Sequence, residues 1–207
     1  MNLALLYNLW NFRRELKLVA FSVIILIMLP IVAVIILTNA GIDVVSDKLA
    51  SINTQTQKVD IHDPLTGKVI SQVSQVMEWP VAGVVTLEFG ESDWPYQPFH
   101  TGIDIANPQG KIGDPIIPFM AGTVTYAGEI FWGYGKYIVI DNGNNISSLY
   151  GHLSKIYVYT GEKVVLGQVI GEEGSTGWST GPHLHFQINI FGIPVNPRTF
   201  LGDGNPN

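Results

Sequence analysis

The residues best able to do chemistry are histidines, and they are not scattered. His100 opens H-T-G-I-D, with Asp104 four residues on. His152 lies in L-Y-G-H-L-S, and His183 and His185 form H-L-H within S-T-G-P-H-L-H-F. Imidazole nitrogens and a carboxylate suit a zinc ion, which in catalytic sites commonly keeps three protein ligands and leaves a fourth place for water. One histidine alone is usually a hydrogen-bonded structural residue. Four of them with an Asp, each bracketed by Gly- or Pro-rich turns, fit a metal site far better.

Spacing constrains how these groups meet. On a strand, residues i and i+2 share a face, so His183 and His185 enter one cavity with Leu184 behind the sheet. Both rings can bind a metal, or one can bind while the other reaches a water on it; spacing does not decide. On a straight strand His100 and Asp104 would stand about 13 Å apart. Gly102 permits a bend that brings them together. Other templates are missing: there is no H-E-x-x-H helix, and no Ser sits in the setting of a nucleophile elbow. The Gly-rich G-S-T-G-W-S-T-G of Gly174–Gly181 lacks the Lys of a phosphate loop and reads as a shaped turn into H-L-H.

The elements that must position these groups are strands. From Val76 onward, short apolar or alternating runs recur between Gly, Pro and Asn, and no segment keeps a helical period over a dozen residues. Asp141–Asn145 (D-N-G-N-N) predicts a hairpin turn. Residues 76–207 are therefore expected to be all-β, a compact antiparallel domain. That region carries 12 acids against 5 bases within a chain of net charge −6, which excludes an electrostatic nucleic-acid binder. The chain has no Cys, so thiol nucleophiles and Cys-type zinc sites are excluded too.

The N-terminal third differs. Leu18–Leu37 (LVAFSVIILIMLPIVAVIIL) carries no charge, and about twenty helical residues match a hydrocarbon core of about 30 Å. Arg13, Arg14 and Lys17 precede it, whereas Asp43 and Asp47 come before Lys48 on the other side. The expectation is a cytoplasmic segment 1–17 and a single transmembrane helix 18–37, with everything after it outside the cytoplasmic membrane. The run exceeds a signal-peptide core, although Thr38-Asn39-Ala40 would pass as a cleavage site. Residues 38–75 are polar and read as a stalk, with a short helix near 44–52 and His62 as an exposed linker residue. As a flexible coil this stalk would span roughly 35 Å on average.

On its three ordered motifs, the sequence from about Trp79 to Phe200 resembles the lysostaphin-like, or LytM-type, zinc metallopeptidases. A-G-T-V-T-Y-A-G and G-Y-G-K-Y-I-V-I also look like that family's hairpin core. The resemblance implies one zinc ion per chain held by His100, Asp104 and His185, with His152 and His183 as catalytic histidines. It implies a β domain with a groove and, as substrate, the peptide part of bacterial peptidoglycan, hydrolysed by zinc-activated water. Gln187 stands where Glu often follows H-L-H-F, and Asp141 where a His often follows the V-x-I strand. Aromatics cluster in expected loops, namely Trp94, Tyr96 and Phe99, then Phe131, Trp132 and Tyr134, then Trp178. Phe99 is expected in the core, while Trp132 and Trp178 are candidates for the groove. The rival reading is a silent relative that binds peptidoglycan and activates another cell-wall hydrolase. Such a relative loses ligands, and all five key residues are present here. A non-haem iron oxygenase fits less well, because its H-x-D spacing is absent.

Overall fold

A computed structural model describes residues 3–74, 78–91, 99–202 and 204, without the side chains of 3–14 and 30–40. Two compact units divide the chain, 1–41 and 42–207. The described residues of the first, 3–41, lie within a long helix, α1 (Leu3–Leu49), whose last turns belong to the second unit. Among the described residues no helix is long and apolar enough to cross a membrane. Positions 30–37 of the expected span fall outside the residues whose side chains are described. From Leu18 to Leu29 the large apolar side chains of α1 are exposed.

The second unit opens with β1 (Ala50–Asn53), β2 (Lys58–His62) and β3 (Val69–Ser74), an antiparallel three-stranded sheet. This corrects the flexible stalk expected over 38–75. The short helix expected near 44–52 is the end of α1, and it stops at Leu49. Leu49, Ala50, Val59, Ile61 and Val73 lie in the same apolar core as Ile103 and Phe186. The physical reason is alternation in K-V-D-I-H, where Val59 and Ile61 point inward around Asp60. His62 is no linker residue: one ring nitrogen is 2.8 Å from Ser51 Oγ and the other 3.1 Å from the Gly67 carbonyl.

The larger sheet holds β4 (Val84–Leu87), β5 (Ile103–Ala106), β7 (Gly122–Glu129), β8 (Lys136–Gly143), β9 (Ile146–Gly151), β13 (Leu184–Ile190) and β14 (Ile193–Val195), with two-residue β11 (Lys163–Val164) at one edge. Its order is β11-β7-β8-β9-β13-β5-β4, with β14 also on β13, and every pairing is antiparallel. Two-residue strands β6 (Pro115–Ile116), β10 (Lys155–Ile156) and β12 (Gly171–Glu172) form a small separate ladder. A terminal turn of helix, α2 (Arg198–Leu201), buries Phe200 against Phe119. The β8–β9 hairpin forms where D-N-G-N-N predicts it. Asn144 and Asn145 take positive φ (53° and 62°), the left-handed pair that matches strand twist in a two-residue turn.

β13 positions the site. It lies between β9 and β5, and its even-numbered residues Leu184, Phe186, Ile188 and Ile190 are fully buried in the core. His185 and Gln187 therefore point to the opposite face.

Candidate metal centre and active site

His185 pairs in register with Asp104 on β5. His100 lies just before β5, pinned by its backbone N–H donating to Glu91 O at 2.8 Å and its carbonyl accepting from Gly90 N at 2.9 Å. The close approach of β5 to β13 requires Gly102. A Cβ there would lie 2.3 Å from Phe186 O and 3.1 Å from His185 Cε1. The expected meeting of His100 and Asp104 occurs, with His100 Nε2 3.1 Å from Asp104 Oδ1. His185 Nδ1 completes a triangle, 3.0 Å from each of those two atoms.

The ring protons follow from the partners, because a carbonyl only accepts. His100 Nδ1–H donates to Glu88 O (3.1 Å), which leaves the Nε2 lone pair facing the triangle. Burial favours the protonated form of Asp104, but hydrogen bonds and charge from His100 and His185 outweigh it and hold the carboxyl well below its usual range. Burial lowers the pKa of His185, despite opposition from Asp104. Two imidazole nitrogens and an ionised carboxylate with donor atoms this close form a cage that suits a divalent cation. His100, Asp104 and His185 thus fit a metal ion as a set.

His152 and His183 face the same cavity from the other side. Their ring centroids are 4.7 Å apart, and His152 is 5.9 Å from His185. His152 follows β9 with a left-handed φ of 61°, costly for a residue with a Cβ. Its backbone N–H donates to Tyr134 O at 2.8 Å and its Nδ1–H to Thr176 O at 2.7 Å. His183 is held by its N–H to Gly174 O (3.0 Å), and its Nδ1–H donates to Gly181 O (2.9 Å). Each ring thus turns an Nε2 lone pair inward. Burial first, then the charges of His183 and His185, push the His152 pKa down to about 4, against the opposing pull of Thr176 O and Asp104.

Phe99 is buried edge-on against Phe89, as expected of a core residue. Trp132 and Trp178 are 51% and 65% exposed. The backbone N–H of Trp178 donates to Gly133 O at 2.8 Å, which ties the loops of the two Trp residues together, and Tyr134 and Thr176 of those loops hold His152. Trp94 and Tyr96 lie outside the described residues. Asp141 has a local role, its carboxylate accepting from Gly143 N within the hairpin. Sequence reasoning missed the three carbonyls that set the ring protons, since backbone atoms carry no residue signature. It also missed a buried network around Gln187, whose two-residue offset from His185 was the available signal.

The family model described as Peptidase family M23 matches residues 98–197. A mutant catalytic domain of the prophage-encoded M23 protein EnpA from Enterococcus faecalis is 38% identical, with a TM-score of 0.50. That match covers 57% of this chain and 92% of the EnpA domain. This chain belongs to peptidase family M23. Its M23 region is also similar to two curated proteins, of which it spans only a minor part. The DD-carboxypeptidase/endopeptidase Mpg of Neisseria meningitidis serogroup B is 47% identical over 98 residues, 47% of this chain and 22% of Mpg. The murein hydrolase activator NlpD of Escherichia coli K12 is 39% identical over 123 residues, 59% of this chain and 30% of NlpD. A zinc-containing peptidase from Vibrio cholerae is 27% identical with a TM-score of 0.56, covering 72% of this M23 chain and 47% of that one.

Proposed function

We propose that this chain is a zinc-dependent endopeptidase that hydrolyses peptide cross-links or stem peptides of peptidoglycan. The observation that carries the reading is the pairing of a three-atom donor cage with two inward-facing imidazoles in one cavity. His100, Asp104 and His185 would hold one zinc ion. When bound, zinc supplies Lewis acidity, polarising a carbonyl and lowering the pKa of water. His152, neutral at pH 7, and His183 present Nε2 lone pairs. One takes a proton from the attacking water, and the other, having taken up a proton from bulk solvent before substrate binds, hydrogen-bonds the developing oxyanion. The proton then passes to the departing amine, so water is added across the C–N bond. Trp132 and Trp178 line the substrate groove beside this pair.

The apolar run 18–37 anchors the protein as a single transmembrane pass in the bacterial cytoplasmic membrane, with 1–17 inside and the catalytic domain outside. Support comes from the basic flank before it and the exposed apolar side chains of Leu18–Leu29. Similarity to a protein named as an activator favours a second reading, a peptidoglycan-binding activator of another hydrolase. The full set of five residues favours the enzyme. Digesting defined muropeptides and identifying products by mass spectrometry tests this. Zinc-dependent cleavage of a peptide bond supports the peptidase, and intact muropeptides with a zinc-loaded chain support the activator.

A further inference from the structure

Four histidines line the cavity, and three of them commit their outward ring nitrogen to a backbone carbonyl: His100 to Glu88, His152 to Thr176 and His183 to Gly181. His185 is the exception. Its Nδ1 belongs to the donor triangle, so Nε2 must carry the ring proton when a metal is bound. That Nε2 is buried and has no hydrogen-bond partner. A buried N–H left unpaired costs the full desolvation penalty of the group.

Gln187 is two residues on, on the same face of β13, and buried. Its Oε1 accepts from Thr101 Oγ1 at 2.7 Å and from Tyr134 OH at 3.0 Å, while its Nε2 donates to Asn189 Oδ1 at 2.6 Å. These bonds place the amide oxygen toward Thr101 and Tyr134 and the amide nitrogen toward Asn189. They also tie β13 to the residue after His100 and to the loop whose carbonyl holds His152. The Tyr134 ring lies 5.3 Å from the His185 ring. A hydroxyl can rotate its hydrogen elsewhere, so Thr101 can free a lone pair of Oε1.

We propose that Gln187 is the positioning residue for His185, its side-chain oxygen accepting the Nε2 proton and so orienting Nδ1 toward zinc. Ligating histidines characteristically donate their other N–H to such a partner, and losing it typically costs 10- to 100-fold in metal affinity. The inference rests on the zinc reading above. A neutral amide also leaves the positive charge of the loaded cage uncompensated on this side.

The test measures zinc affinity of the full chain in detergent by competition with a chromophoric chelator, with far-UV circular dichroism as the folding control. Gln187→Leu, of similar size and without an acceptor, is expected to bind zinc about 10- to 100-fold more weakly. Gln187→Glu keeps an acceptor at that position and is expected to bind at least as tightly as the native chain. Native affinity in a folded Gln187→Leu variant overturns the proposal. If the Leu variant does not fold, the Glu variant decides alone, because weaker zinc binding by it overturns the proposal as well. A native chain that binds no zinc removes both this inference and the metal reading. Normal zinc loading without peptide cleavage removes only the peptidase.

Discussion

His183 and His185 address different oxygens of one carboxylate: His185 Nδ1 is 3.0 Å from Asp104 Oδ1, and His183 Nε2 is 3.6 Å from Oδ2. Strand geometry sends both rings into one cavity, but only His185 closes the triangle with His100. His185→Ala is therefore expected to lose zinc, whereas His183→Ala keeps it and loses cleavage by roughly 10²-fold or more. Zinc per chain, measured by plasma mass spectrometry on both purified variants, checks the division. A metal-free His183→Ala beside a loaded His185→Ala would reverse it.

His152 should leave a mark on stability against pH. Its folded pKa is about 4 against an ordinary 6.5, so between those values the unfolded chain binds the extra proton. Stability from this group is full above about pH 6.5 and is lost as pH falls toward 4. His185, also lowered, adds a slope of the same sign. Urea midpoints of zinc-free protein between pH 4.5 and 7 are expected to fall less steeply in His152→Gln than in the native chain. Equal slopes would count against the buried, neutral ring.

Glu173 predicts the opposite slope. It is fully buried, its Oε2 has no partner, and burial raises its pKa to about 7; the Asn107 N–H opposes the rise and Asp114 adds to it. Here the folded chain holds the extra proton, so stability from this group is present below about pH 4.5 and is lost as pH rises through 7. Glu173→Gln removes the ionisation and keeps an acceptor for Asn107. It is expected to raise stability above pH 7 by about 1–3 kcal/mol, the scale of an unpaired buried group. Thermal melts at pH 8 decide it, and a lower melting point would sink the idea.

Gly102→Ala places a methyl where Phe186 O already stands. The atom in the way is backbone, so β5 must shift from β13 and carry Asp104 with it. A loss of about 1–3 kcal/mol is expected, together with weaker zinc binding. Unchanged melting and metal content would show that the two strands have slack.

Ile61 tests the N-terminal sheet. If residues 38–75 were a tether, Ile61→Ala would be silent. Buried in the common core, it is expected to cost the whole second unit about 2–5 kcal/mol. One cooperative unfolding transition shifted by that amount confirms the fusion, and an unshifted transition refutes it.

The site was legible because strand alternation and Gly-bracketed turns are written in residue types. H-L-H gave the shared cavity, and H-T-G-I-D gave a glycine where two strands touch. The N-terminal sheet was not legible. Its strands are four to six residues long, and Gln, Thr and Asp thin out their alternation below what a composition reading detects. Glu173 was silent for another reason: an acid beside Glu172 reads as solvated, and only the packing of β12 and Asn107 encloses it.

β13 has a consequence for how this protein can drift in evolution. Its even residues build the core and its odd ones, from His185 to Gln187, build the cavity, so this stretch offers no idle position. A change on either face is felt on the other through one backbone. New specificity is therefore expected to arise away from this strand, in exposed loop positions such as Phe131, Trp132 and Trp178. There a side chain can be exchanged while the strand that holds the chemistry stays as it is.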